Sequence, residues 1–175
     1  MELQVTITPE LTLQLLGCVY YGDPFHQAKE WAIENEIGKL WQRFMNLCQK
    51  YSNLLAGISS QPNIGYEVHI EPEEYLATRK YYVFAGVQVT SIQEIPLEMF
   101  VKVLPKTRYA TFTTKVADEK TGLYVLKEWL PQNGLEQAYP YIIEAYNAER
   151  FRGVDDPQSE VDWYIPVKEK PQHVL

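Results

Sequence analysis

The sequence predicts an α+β fold in which duplicated β-α-β-β units form one antiparallel sheet with two helices on one face. Three observations predict it. Short alternating segments bounded by turn residues recur along the chain, as strands do. Two longer segments carry apolar residues at helical spacing. The order of these elements then repeats, so that residues from about 1–92 and 93–170 read as two copies of one unit. One such unit cannot cover its own sheet, whereas two side by side make a continuous one. The 175 residues suit a single domain, 1–175.

Val5, Ile7 and Pro9 open an alternating segment that Leu11, Leu13 and Leu15 continue, with Gly17 to Tyr21 again strand-like. A long bent strand or a hairpin is expected there. Asp23-Pro24 is a helix-start signal, a capping carboxylate followed by a residue that needs no donor. The first helix is expected to run to about Tyr51, with Ile37, Leu40, Trp41, Phe44, Leu47 and Cys48 as its buried stripe. Tyr66 to Ile70 alternates as a strand, and Glu71 to Lys80 is a polar connection. Tyr81 to Val89 follows as a strand, in which Gly86 marks a bulge or a close approach. Met99 to Leu104 and Arg108 to Thr114 are two more strands. A second helix fits Thr121 to about Gln132, with Leu123, Leu126 and Leu130 on one face and Gly134 as its stop. Tyr141 to Asn147 and Val161 to Val167 complete the set.

The repeat rests on order and on short matches. Val5-x-Ile7-x-Pro9 answers Val101-x-Val103-x-Pro105, and Tyr66-Glu67-Val68-His69 answers Ile143-Glu144-Ala145-Tyr146. Glu is a poor strand former, yet it stands mid-strand at equivalent places in both halves.

Composition narrows the function. A net charge of −7 argues against direct nucleic-acid binding, which needs clustered Lys and Arg. It argues equally against an anionic membrane surface. No apolar run approaches the roughly 20 residues of a membrane helix. The N-terminus carries no signal-peptide pattern, so a cytoplasmic protein is expected, with Cys18 and Cys48 reduced and buried. Thirteen Tyr, four Trp and six Phe are enough to furnish a site for a flat or cationic ligand as well as a core. His26, His69 and His173 are scattered without metal-ligand spacing; no metal and no cofactor are expected. His69 reads as a solvated sheet residue.

Alternation divides the strand residues between two faces. With Tyr66, Val68, Ile70, Ile143, Ala145, Val161, Trp163, Ile165 and Val167 assigned to the helices, the helix-free face collects Glu67, His69, Glu144, Tyr146, Glu160, Asp162 and Tyr164. Carboxylates among phenols suit an aromatic cation. The same pattern also suits an ordinary solvated sheet face. Trp31, near the entry of the first helix, could roof such a pocket or belong to the core.

Pro105-x-x-x-Tyr109-Ala110-x-Phe112, the Ile143-Glu144-Ala145-Tyr146 strand and Asp162-Trp163-Tyr164-Ile165-Pro166-Val167 resemble the GyrI-like family, also described as the AraC-type effector-binding domain. Tyr20-Tyr21-Gly22-Asp23-Pro24-Phe25 fits the same resemblance, which spans nearly the whole chain. It implies a duplicated β-α-β-β fold that binds lipophilic, often cationic, small molecules on the open sheet face, around an acidic residue. Glu144 matches that residue, and Asp162 falls where many members have Glu. Tyr146, Tyr164, Glu67 and Trp31 complete the expected ligand contacts, with the central carboxylate to be found among Glu144, Asp162 and Glu160. The family's regulators carry a helix-turn-helix module, for which this chain, opening almost directly on a strand, is expected to have no room. A stand-alone sensing, sequestering or protective protein is the leading expectation. The alternative is a hydrolase of strained cyclopropanoid compounds that uses a carboxylate and a tyrosine from Glu144, Asp162, Tyr146 and Tyr164. A third class, a protein-inhibiting module, would use the outer surface.

Overall fold

The structure is a computed structural model that describes residues 3–25, 35–116 and 118–171. The strands are β1 (Thr6–Ile7), β2 (Gln14–Gly22), β3 (Ile64–Ile70), β4 (Tyr81–Gln88), β5 (Phe100–Val103), β6 (Arg108–Lys115), β7 (Leu135–Gln137), β8 (Tyr141–Asn147) and β9 (Glu160–Glu169). The helices are α1 (Glu36–Lys50), α2 (Ser52–Ile58), α3 (Tyr75–Thr78), α4 (Glu119–Tyr124) and α5 (Leu130–Gln132), with a π-helical stretch at Val125–Trp129 between the last two. All pairings are antiparallel, in the order β1-β6-β9-β8-β3-β4-β2-β5, with β7 on β9. Exchanging β1 with β5, β2 with β6, β3 with β8 and β4 with β9 returns the same order reversed. The duplication is therefore real, and its pseudo-twofold axis passes between β3 and β8.

A row of directly opposed residues crosses the sheet: Cys18, Ala85, Glu67, Glu144, Trp163, Phe112. Opposed residues share a face. At one end of the row, Ile37, Leu40 and Phe44 of α1 pack with Leu16, Cys18, Val83 and Ala85. At the other, Val125 and Leu130 pack with Phe112 and Ile165. Both helical segments thus lie on one face, as expected. The Asn35 side chain caps α1 by accepting from the Gly38 amide at 2.7 Å. Gly17 and Gly86 are opposed, and a Cβ at either would lie 2.0 Å from the Ala85 carbonyl oxygen or 2.6 Å from that of Leu16. Gly86 is thus a point of close approach. Both cysteines are free thiols.

Three expectations change. The first two strands form neither a hairpin nor one bent strand: β1 pairs with β6 at one end of the sheet, and β2 with β4 and β5 at the other. The intervening residues cross the sheet on the face away from the helices. There Leu11 pairs with Thr107, and the Leu104 amide donates to the Leu13 carbonyl at 2.9 Å. The second crossover, between β5 and β6, runs alongside the first. Leu13 and Leu104 close a core over Val68, Phe84, Tyr109, Ile143 and Ala145. The helix-free face is therefore not open to a ligand at its centre. Second, Leu123 is 53% exposed and is not in the stripe of the second helix. Gly122 faces the Trp163 ring, where a Cβ would sit 3.1 Å from it, and the π-helical residues carry the buried positions on to Val125 and Leu130. Third, α2 extends the first helical region past Tyr51, while the residues between Phe25 and Asn35 lie outside those described. No helix among the described residues is long and apolar enough to cross a membrane.

The sealed face has a measurable consequence. Ile143 is fully buried on it, opposite Val68. Ile143→Ala is expected to lower the urea-unfolding free energy by about 2–5 kcal/mol. On a solvated sheet face the same change would stay within about half a kcal/mol.

Candidate functional site

At the pseudo-axis the two halves present the same short pattern, Glu67-x-His69 on β3 and Glu144-x-Tyr146 on β8. A period of two sends both members of each pair to one face. Because Glu67 and Glu144 are opposed to each other and lie in the row that runs from Cys18 to Phe112, that face is the helix face. The four residues sit between the apolar cluster under α1 and the cluster under the π-helical stretch and α5.

The expected set of seven is thereby divided. Glu67, His69, Glu144 and Tyr146 come together. Glu160, Asp162 and Tyr164 point the other way, since Trp163 opposes Glu144 and Asp162 opposes Ala145. Asp162 and Tyr164 cannot share a ligand with Glu144, because one register step in a strand reverses the face. The expectation took the apolar side of β3 and β8 for the helix side. In this sheet that apolar side is the one sealed by the crossovers. Trp31 lies outside the described residues.

Glu67 is 1% exposed and fully bonded. Its Oε1 lies 2.6 Å from His69 Nε2, and its Oε2 accepts the Trp41 indole N–H. Glu144 Oε2 accepts from the Tyr146 hydroxyl at 2.6 Å. Aromatic rings surround these groups. The His69 ring stacks on Tyr81 at 5.7 Å, Trp41 meets Tyr146 edge-on at 5.6 Å, and Phe151 backs Tyr146 at 4.8 Å. Gly65 makes room for Trp41: a Cβ there would stand 2.8 Å from the indole ring.

Burial disfavours a charged His69, but the hydrogen bond to Glu67 and the charges of Glu67, Glu144 and Glu71 outweigh it, so its pKa is raised above the ordinary imidazole value. His69 is thus a packed, paired residue rather than a solvated one. A raised folded pKa means that the imidazolium stabilises the fold fully below the unfolded pKa. That contribution is lost as pH rises through the folded pKa. Burial, followed by the charges of Glu144 and Glu67, pushes the Tyr146 phenol well above its usual range, and Tyr146 stays neutral. Ligand-type atoms of Glu67, His69 and Glu144 all lie within 4.8 Å of one another and so could converge on a cation. The 2.6 Å contact between Glu67 and His69 is a hydrogen-bond distance. Two ligands of one zinc ion stand farther apart, at about 3.3 Å for bonds of 2.0–2.1 Å.

On the opposite face, Asp162 bonds Arg150 and accepts from Thr113 at 2.6 Å, while Glu160 pairs with Lys115 at 3.0 Å and Arg150 at 3.2 Å. These carboxylates already hold cations. With Tyr164, Thr111 and Thr113 they line a groove of about 790 Å³, away from the Glu67–Glu144 pair.

Trp41, Tyr81 and Phe151 were not among the expected contacts. Trp41 reads as core because it falls within the apolar stripe expected for the first helix. The available signal is Gly65, a residue without a side chain two positions before Glu67 on the same face.

Residues 12–167 match the family model described as Cass2, integron-associated effector binding protein, and the chain belongs to this family. It is similar to the transcriptional regulator BrlR of Pseudomonas aeruginosa, at 27% identity over 171 residues, covering 95% of this chain and 56% of the regulator. The chain therefore spans about half the length of this relative. SAV2435 bound to tetraphenylphosphonium has a similar structure, with TM-score 0.62 and 17% identity over 96% of this chain and 94% of that one. So does the integron cassette protein VCH_CASS2 of Vibrio cholerae, with TM-score 0.53 and 18% identity over 95% and 97%. These two likenesses show the fold.

The contact between Gly65 and Trp41 can be tested directly. Gly65→Ala is expected to push the indole off Glu67 and to move one indole N–H resonance of the NMR spectrum, the one lost in Trp41→Phe. An unmoved resonance would mean that the indole does not rest on Gly65.

Proposed function

We propose that the helix face of the central strands binds a small lipophilic cation, with Glu67 and Glu144 supplying negative charge and Trp41, Tyr81, Tyr146 and Phe151 forming the walls. The supporting observation is the pair of opposed carboxylates, one of them 1% exposed, set among aromatic rings. Rings hold aryl groups by stacking and cations by their quadrupole, while carboxylates choose the sign of the charge. Tetraphenylphosphonium, the ligand of the similar SAV2435 structure, is an aryl cation of this class. The family is one of effector-binding proteins, and a sensing or sequestering role in the cytoplasm fits such a site. In this reading Glu67, Glu144 and Tyr146 remain ligand contacts, and Asp162 and Tyr164 do not.

A second reading, hydrolysis of a strained-ring electrophile, keeps one carboxylate–tyrosine pair of the expected four residues. Glu144 and Tyr146 are hydrogen-bonded on one face. Glu144 would activate water and Tyr146 would protonate the leaving group. The raised pKa of Tyr146 makes it a reluctant acid and favours binding over turnover.

Calorimetry with tetraphenylphosphonium tests the first reading. Glu144→Gln removes one partner of a buried charge pair, which costs roughly 2–5 kcal/mol, or about 30-fold to several thousand-fold in affinity. A neutral triaryl ligand should lose far less. Equal losses for the two ligands would make Glu144 a packing residue. Single-turnover assays on a strained-ring substrate decide the second reading, which ends if Tyr146→Phe keeps the full rate.

A further inference from the structure

We propose that His69 is the specificity-determining residue of this pocket, competing as an internal cation with the ligand for Glu67. Cations would then bind more tightly when His69 is neutral. This inference rests on the cation-binding reading above.

The two halves supply the argument. Each carboxylate has a hydrogen-bonding group two residues along on the same face. In the second half that group is Tyr146, a phenol that stays neutral. In the first half it is His69, which can carry a charge. Its ring is 14% exposed, stacks on Tyr81, and sits 2.6 Å from Glu67 Oε1. The other oxygen of Glu67 is engaged by Trp41. A ligand cation drawn to Glu67 therefore meets an imidazolium already seated at Oε1, and two like charges in a partly desolvated site repel strongly. Loss of the His69 proton restores a full negative charge for the ligand to use.

Among the described residues, the groups facing His69 do not reproduce this effect. Glu67 comes from its own strand, Glu71 from the connection just after it, Glu144 from β8, and Tyr81 from β4, with Tyr75 of α3 behind it. Burial and nearby charges raise the Tyr81 phenol, so it stays protonated through the neutral range. Replacing His69 leaves the carboxylates in place, so the variant separates their contribution from that of the imidazole.

By linkage, binding that expels one proton changes affinity by up to about tenfold per pH unit. The experiment is the Kd of tetraphenylphosphonium between pH 5.5 and 8.5, for wild type and His69→Gln, with triphenylphosphine oxide as the neutral control. Wild-type affinity for the cation should rise with pH toward that slope. His69→Gln should be nearly flat and should bind the cation more tightly than wild type at the acid end. The neutral ligand should be flat in both proteins. A flat wild-type profile, or an unchanged slope in His69→Gln, overturns the proposal while leaving cation binding intact. Absence of cation binding at every pH overturns the pocket reading, and this inference with it. NMR titration of the His69 ring in wild type gives a measurement independent of the variant's folding. Its midpoint should fall when tetraphenylphosphonium is added, and an unmoved midpoint overturns the proposal.

Discussion

The arrangement depends on Glu67 and Glu144 standing directly opposite each other on the two central strands. Like charges in that position destabilise a sheet, and burial of Glu67 adds the cost of removing a carboxylate from water. The neighbouring side chains answer this cost. His69 brings a proton to one oxygen of Glu67, Trp41 an N–H to the other, and Tyr146 an O–H to Glu144. Each donor requires a particular piece of the fold. Trp41 needs α1 laid over β3 and a glycine at position 65. His69 and Tyr146 need the strand pleat to keep them on the same face as the acid two residues before. The helices, the register and the bare backbone at Gly65 are thus parts of one solution to an electrostatic problem at the pseudo-axis.

Sealing the other face makes this solution necessary. Two crossovers, related by the duplication and hydrogen-bonded at Leu11 and Thr107, close over Val68, Ile143 and Ala145. Apolar residues of the central strands are committed to that core. Polar residues of the same strands then have to face the helices. The helical segments pack on the two ends of the sheet and leave the middle to the acids and the rings. A sheet with one solvated face would have carried its carboxylates outward, with no reason to surround them with aromatic groups.

This also explains how far the sequence could be read. The order of strands and helices, the duplication and the placement of both helices on one face were legible, because period and repeat carry that information directly. The pairs Glu67 with His69 and Glu144 with Tyr146 were legible too, as residues two apart on a strand. The face they occupy was not. Alternation separates two sides of a strand without saying what covers each side, and apolar residues at 66, 68, 143 and 145 look the same under a helix or under a crossover. In β9 the inference succeeded, since Trp163 and Ile165 do lie under the second helical segment. Combining one correct strand with two reversed ones brought Asp162 and Tyr164 into the company of Glu144. Trp41 was hidden for a related reason: helical periodicity places it beside core residues, and only the opposing Gly65 tells that its ring lies across the sheet.

The duplicated frame carries an asymmetric load. Backbone order, acid positions and the role of the residue two places on are common to the halves, while the identity of that residue differs. A phenol gives Glu144 a neutral donor, and an imidazole gives Glu67 one that can be charged. In the proposed pocket the surrounding rings suit flat and cationic groups without demanding one shape, because stacking and quadrupole contacts are weakly directional. Discrimination in such a pocket has to come mainly from charge. In the proposed pocket that charge centres on Glu67 and Glu144, and a single strand residue, His69, is proposed as the one that tunes what the aromatic surface accepts.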